Sequence, residues 1–481
     1  MSRFLALSVG LSVLSANAQY WHALDSGFSS PAQVTTIFAD EATDRLLIGG
    51  TFLSVYNDND TVLATGIASW NGTRWDSLAT RIQEISGNAV APIGWFVRYQ
   101  GRLYACGEFS LHTDVEEGNF SLAKLDEENQ QWGPLECINP LLSGIMQLVP
   151  RITQETLYAT GFAGSLCGYP EACVFRYDGQ AFHVWEPFEQ IPDHTNNYVA
   201  YVFDFQGMTY MTGLFRDPLT EGFASFLKWN GAAWEHVPGW GDHSKPIKDI
   251  AIRNDTLYVA GAFTLAAGAP GNGIAYFDGT TWNDMGGGVR LVQQPASTTG
   301  VSMQWYHDAL YLTGQFNEVA GIPLTYALVK WNGRQWCTLP GHLDNPNTTI
   351  DMVVDFAVWR DSLYVNGTFN TGEGGPVRHV AQWLGGEATL ECSPLLSVNE
   401  PERKRTFSIV PNPATTAVIL QGLPPTANNV VLRDALGRTV QQQRITSANP
   451  TLSLTALGAG LYLLEVWDSD SRLATERLVV E

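Results

Sequence analysis

Leu257-Tyr258-Val259-Ala260-Gly261-Ala262-Phe263 decides the fold. It is an apolar-aromatic run entering glycine and then phenylalanine, and the phrase recurs at residues 47–52, 103–109, 157–162, 209–215, 310–316 and 363–369. Around Leu257 the pattern reads as four strands. Ile250 and Ile252 lie in the first, Asn254-Asp255 turns the chain, and the quoted phrase is the second. Residues 274–277 are the third, Asp278-Gly279 a tight hairpin turn, and residues 282–285 the fourth. Asn-Gly or Asp-Gly recurs at residues 71–72, 178–179, 230–231 and 332–333, and both central residues of the expected two-residue turn need positive φ.

Four antiparallel strands per repeat of roughly 50 residues predict a blade of a β-propeller, and the count predicts seven. Residues 21–24 look like a fourth strand without its first three. They are expected to complete the last blade and close the ring with no free edge. Glycine inside a strand weakens it unless backbone approaches closely, and here a crowded central axis is the expected cause. The recurrent Trp and Phe are expected to pack between blades. The expected fold is all-β: a seven-bladed propeller over 19–392, a linker at 393–405 and a small Ig-like β-sandwich over 406–481. In strand order and in the Leu-Tyr-x-x-Gly phrase, residues 20–392 resemble kelch-like propellers, although among the seven copies of the phrase only the first carries paired glycines, Gly49-Gly50. The resemblance implies a fold and no particular activity.

The first 18 residues read as a signal peptide. Arg3 is the positive n-region, residues 4–14 the apolar core and Ala16-Asn17-Ala18 the cleavage site. No later stretch approaches the ~20 apolar residues of a membrane helix. Export permits disulfides. Among six cysteines, Cys167 and Cys173 flank the turn Gly168-Tyr169-Pro170 and are the expected pair, with Cys337 and Cys392 as a further pairing near ring closure. No Cys-x-x-Cys points to zinc.

Net charge is −21, and residues 19–392 hold 18 Lys and Arg against 40 Asp and Glu. This acidity opposes nucleic acid as a partner. The short turns gather on one face and the long loops on the other, so binding is expected on the long-loop face. Asn57-Asp58-Asn59-Asp60 resembles a calcium loop, with Asp58 and Asp60 as candidate ligands. It lacks the EF-hand glycine and distal Glu, so no cofactor is assigned. Trp240, Asp242 and His243 form an aromatic-polar cluster suited to sugar stacking. No nucleophile elbow, P-loop or His-Glu-x-x-His is present, which leaves catalytic residues unassigned. Binding or adhesion through an unidentified surface glycan or protein ligand is the preferred reading. The alternative is a secreted hydrolase or lyase acting on polysaccharide, which two clustered carboxyls of raised pKa at the channel mouth would favour.

Four blocks follow residue 405: Ile409-Val410-Pro411-Asn412-Pro413-Ala414, Val431 to Arg438, Leu457-Gly458-Ala459-Gly460-Leu461-Tyr462, and Arg477 to Glu481. They resemble the type A sorting domain of the type IX secretion system, with Pro411, Asn412, Pro413, Gly460 and Tyr462 matching its motif. The resemblance implies a Bacteroidota-type source, the secretion machinery as partner through this domain, and release or attachment at the outer-membrane surface.

Overall fold

The computed structural model describes residues 20–480 except 29–31, 59, 80–81, 84–92, 113–116, 136–144, 152–155, 167–168, 193–196, 242–244, 265–272, 325, 346–351, 374, 394–406, 435–437, 448 and 469–471. The expected signal peptide, most of the expected linker, Cys167, Asp242 and His243 lie outside the described residues. The chain is all-β and divides into two compact units, Met1–Leu395 and Leu396–Glu481.

The first unit is built from runs of four antiparallel strands. The run read from sequence forms as Ile247–Arg253, Thr256–Gly261, Ile274–Phe277 and Trp282–Asp284, paired in chain order. Equivalent runs open with Gln33–Asp40, Ile93–Tyr99, Ile145–Arg151, Tyr198–Phe205, Thr299–Tyr306 and Val353–Trp359. Each opening strand packs against the next, and Gln33–Asp40 also packs against Val353–Trp359. The last run takes its fourth strand from the N-terminal side: Trp21–Ala23 pairs with Val380–Trp383, and Trp21 stands opposite Trp383.

The second-strand glycine meets the close backbone approach expected of it, and the backbone that approaches is that of its own run's opening strand. Every opening strand carries a register shift near its start, at Val34/Thr36, Ile93/Trp95, Ile145/Gln147, Val199/Tyr201, Ile247/Asp249, Gly300/Ser302 and Val353/Asp355. Such a bulge pushes backbone toward the partner strand. A Cβ at Gly314 would lie 2.2 Å from the Thr299 carbonyl oxygen, and one at Gly367 2.1 Å from that of Met352.

The Asn-Gly and Asp-Gly turns also differ from expectation. Phe277 pairs with Trp282, leaving the four-residue loop 278–281, in which Gly279 has φ +99° while Asp278 stays out of the positive region. The Asp278 carboxylate accepts from the amides of Thr280 and Thr281 at 2.8 and 2.7 Å. Asn71, Asp178, Asn230 and Asn332 do the same in their loops. The side-chain oxygen, rather than a pair of positive φ values, sets this turn. The two-residue turn lies between first and second strands, as at Asn254-Asp255 with φ +50° and +55°.

Tryptophans on the fourth strands join neighbouring runs. The indole N–H groups of Trp75, Trp132, Trp234 and Trp336 donate to the carbonyls of Leu24, Leu78, Pro187 and Met285, each in the preceding run or just after it. This buries a large apolar ring while its one donor stays paired. Segments expected as long loops are partly strands. Ser54–Asn57 and Asp60–Leu63 form a hairpin on Gly27–Phe28, Glu318–Val319 and Ile322–Pro323 one on Val289–Arg290, and Thr371–Gly372 and Gly375–Pro376 one on Leu343–Asp344.

The second unit sets Ser408–Val410, Ala417–Gln421 and Thr451–Ser453 in one sheet. Thr439–Arg444, Asn429–Arg433, Gly460–Trp467 and Arg472–Val480 make another. Between them lies a core that includes Phe407, Val418, Leu432, Leu464 and Leu478.

Candidate functional site

In six runs the residue that follows the bulge lines a shared cavity. Thr36, Trp95, Tyr201, Asp249, Ser302 and Asp355 come from six different runs and line one cavity of about 540 Å3. Its wall also includes Phe38, Phe96, Phe203, Phe356, Met303, Gln304 and Lys248. That volume lies within the usual range for small-molecule sites, and the mixture of aromatic wall and few polar groups is their usual lining.

Asp249 and Asp355 are the ionisable acids of this wall. Asp249 Oδ1 accepts from the Ile250 amide at 2.8 Å and the Tyr201 hydroxyl at 3.2 Å, and its Oδ2 accepts from the Met303 amide at 2.6 Å. Asp355 Oδ1 accepts from the Phe356 amide at 2.9 Å and the Ser302 hydroxyl at 3.1 Å. Its Oδ2 accepts from the Thr36 hydroxyl at 3.3 Å and the Ile37 amide at 3.4 Å. The two carboxyls therefore link opening strands of five runs. Both touch the cavity space while surrounded by protein. Burial pushes Asp249 up to about 7, aided by the charge of Asp355 and opposed by the amide hydrogen bonds. Burial likewise pushes Asp355 up to about 6 against its amide and hydroxyl donors. Near neutral pH the pair can both accept and donate hydrogen bonds.

The residues singled out from sequence lie elsewhere. Asp58 and Asp60 sit exposed at a hairpin tip, where Asp60 lies 3.6 Å from Arg74. Neighbouring Asn57 is structural: its side chain exchanges hydrogen bonds with the Trp75 backbone. Among the described residues no group of three or more His, Cys, Asp or Glu could hold a metal ion. Trp240 is 5% exposed, packs on Phe226, Phe263 and Trp282, and donates to the Ser225 hydroxyl at 3.0 Å. It is core, and offers no face for a sugar.

The expected Cys167–Cys173 bridge is not formed. Cys173 is a free, buried thiol whose Sγ donates to the Asn197 carbonyl at 3.2 Å, and burial pushes its pKa up to about 12. Its strand position turns it into the core, where it is 1% exposed. Cys337 and Cys392 are bonded.

The apolar content of the opening strands does not single out Asp249 and Asp355. Alignment of the runs on their glycines puts Thr36, Trp95, Gln147, Tyr201, Asp249, Ser302 and Asp355 in one column. Acids there break an otherwise apolar strand, which is the signal that would have found them.

In the second unit, the motif residues serve its geometry. Asn412 lies between two prolines; its Nδ2 donates to the Arg477 carbonyl at 2.6 Å and its Oδ1 accepts from the Val479 amide at 2.9 Å. Val410-Pro411 and Asn412-Pro413 are cis. Tyr462 donates to the Gly458 carbonyl at 2.8 Å, two residues before Gly460, whose φ is +159°.

No curated protein matches the chain. Among solved structures it is similar to the extracellular domain of a one-component system protein of B. thetaiotaomicron, at 11% identity and TM-score 0.41, covering 97% of this chain and 58% of that one. It is also similar to PorZ, a surface component of the type-IX secretion system of Porphyromonas gingivalis, at 12% identity and TM-score 0.25, covering 94% and 82%. A third is the GH74 xyloglucanase of Xanthomonas campestris, at 10% identity and TM-score 0.27, covering 92% and 70%. The chain thus spans about three fifths of the first of these. No helix among the described residues is long and apolar enough to cross a membrane. Residues 408–481 match the family model described as secretion system C-terminal sorting domain, so the chain carries that domain, which engages the secretion machinery and marks it for export, to attachment at the cell surface or to release.

Proposed function

We propose that residues 19–392 form a seven-bladed, kelch-like β-propeller that acts as an exported binding protein, with its ligand site at the central cavity. The observation that carries this reading is the cavity wall, where Asp249, Asp355, Tyr201, Ser302 and Thr36 converge from separate runs among aromatic side chains. A wall of aromatic surface with a few hydrogen-bonding groups suits a polyhydroxylated ligand such as a surface glycan, or a polar protein segment.

The raised pKa of both acids favours the second reading, a polysaccharide-acting enzyme. Against it, every carboxyl oxygen already accepts from a strand amide or a hydroxyl of a neighbouring run. Those bonds assign the acids to shaping the wall before proton transfer. The test is a glycan and protein array with the whole exported chain, with and without a chelator, beside Asp249→Asn and Asp355→Asn. Retained binding without bond cleavage, weakened by either substitution, supports a binding protein. Released sugar products that vanish with either substitution support the enzyme, and unchanged binding by both variants rejects the cavity.

A further inference from the structure

After Val380–Trp383 the chain turns back along the outer edge of the run that opens with Thr299–Tyr306. There the Thr338 amide donates to the Glu391 carbonyl at 2.7 Å, the Leu390 amide to the Thr338 carbonyl at 2.9 Å, and the Ser393 amide to the Trp336 carbonyl at 2.7 Å. Cys337 and Cys392 face one another as an antiparallel pair and are joined by a disulfide. Trp336–Thr338 would otherwise be an open sheet edge.

The same segment compensates a buried charge. Lys330 is 3% exposed, and its Nζ donates to the Glu387 carboxylate at 3.1 Å and the Glu387 carbonyl at 3.2 Å. The other Glu387 oxygen meets His307 Nδ1 at 3.2 Å. Burial opposes ionisation of Glu387, yet Lys330 and His307 hold its carboxyl below the usual range. A buried ammonium deprived of its carboxylate is costly, so this run requires the segment and the segment requires the run.

We infer that residues 384–393 are a disulfide-locked strap that isolates the closing sheet from whatever happens to the chain beyond Cys392. Val380–Trp383 lies between Ser362–Gly367 and Trp21–Ala23, so it is the strand through which the two ends of the unit meet. Tension on the chain after residue 393, or its removal, would act on that strand if the connection were loose. The disulfide transfers the tension to Cys337 in the neighbouring run instead. The strap stands on its own contacts and holds whether or not the cavity binds a ligand.

Hydrogen exchange read by mass spectrometry on the whole chain tests this, with proteinase K digestion as the second arm. In the wild type the amides of residues 388–393 should be protected. In Cys337→Ser/Cys392→Ser they should exchange at least about tenfold faster while the run opened by Ile247–Arg253 is unaffected. Digestion of the wild type should yield a first-unit fragment ending at or beyond Ser393. Equal protection in variant and wild type, or a wild-type fragment trimmed back before Leu390, would overturn the proposal. The digestion arm decides it if the variant fails to fold.

Discussion

Trp21 stands directly opposite Trp383, its ring centroid 4.8 Å from that of its partner, although the two come from opposite ends of the first unit. Trp21 is fully buried, and Tyr20 stacks on Trp383 beside it at 5.9 Å. The strand has three residues, so side-chain burial rather than ladder length holds it. Trp21→Ala should cost about 3–5 kcal/mol, the usual range for truncating a buried aromatic. Urea unfolding of the whole chain would measure it. A loss under about 1 kcal/mol would mean that this pair does not close the unit.

Gly314 and Gly367 should resist substitution for a reason that Gly133 lacks. An added Cβ would lie 2.2 and 2.1 Å from a backbone carbonyl at the first two, whereas nothing lies within 4 Å at Gly133. Backbone cannot swing aside as a side chain can. Gly314→Ala and Gly367→Ala should each cost about 1–3 kcal/mol or more. Gly133→Ala should stay within about 0.5 kcal/mol. Equal effects at all three positions in denaturant titrations would remove the bulge as the cause of the glycine.

Strands were legible because their signals are local: the apolar-aromatic run from Leu257 stops at Gly261 and repeats. The pairing of Trp21 with Trp383 was legible because residues 21–24 read as a fourth strand without its first three, and the register sets Trp21 opposite Trp383. The cavity was not legible, because Asp249 and Asp355 acquire meaning only when strands 48 to 54 residues apart, and for Asp355 and Thr36 319 residues apart, stand side by side. Trp240 misled for a related reason. An aromatic beside Asp242 and His243 in a linker looks the same in sequence whether its ring faces water or, as here, Phe226, Phe263 and Trp282. Cys173 shows the limit of spacing arguments: six residues and a turn from Cys167, it bonds to Asn197 instead.

Stability should fall as pH rises from about 4 to 7. Burial holds Asp249 and Asp355 at folded pKa values of about 7 and about 6, above the ordinary aspartate value of about 3.9. The folded state therefore binds their protons more tightly than the unfolded chain. Their contribution is greatest near and below pH 4 and is lost as pH rises through 6 and 7. His379 works in the opposite direction, since burial lowers its pKa and its contribution is lost as pH falls. The comparison that isolates the acids is wild type against Asp249→Asn/Asp355→Asn, with thermal midpoints taken across the range. The variant should lose most of the decline, and an identical slope in both proteins would contradict the assignment.

The sorting unit should be separable in function from the first unit. Its own core, including Val418, Leu432, Leu464 and Leu478, is complete within residues 407–480. Deleting residues 407–481 should leave the first unit folded but retained in the periplasm, as judged by fractionation and protease accessibility on intact cells. Asn412→Ala is the finer test. It removes both bonds that fasten the Pro411–Pro413 turn to the last strand, the donation to Arg477 and the acceptance from Val479. The turn is exposed, so the loss should be about 1 kcal/mol in the second unit and none in the first. Export should nonetheless drop if the secretion machinery reads the shape of this turn. Normal surface delivery of the deletion protein would refute the sorting role. Normal delivery of Asn412→Ala alone would place recognition elsewhere on the domain.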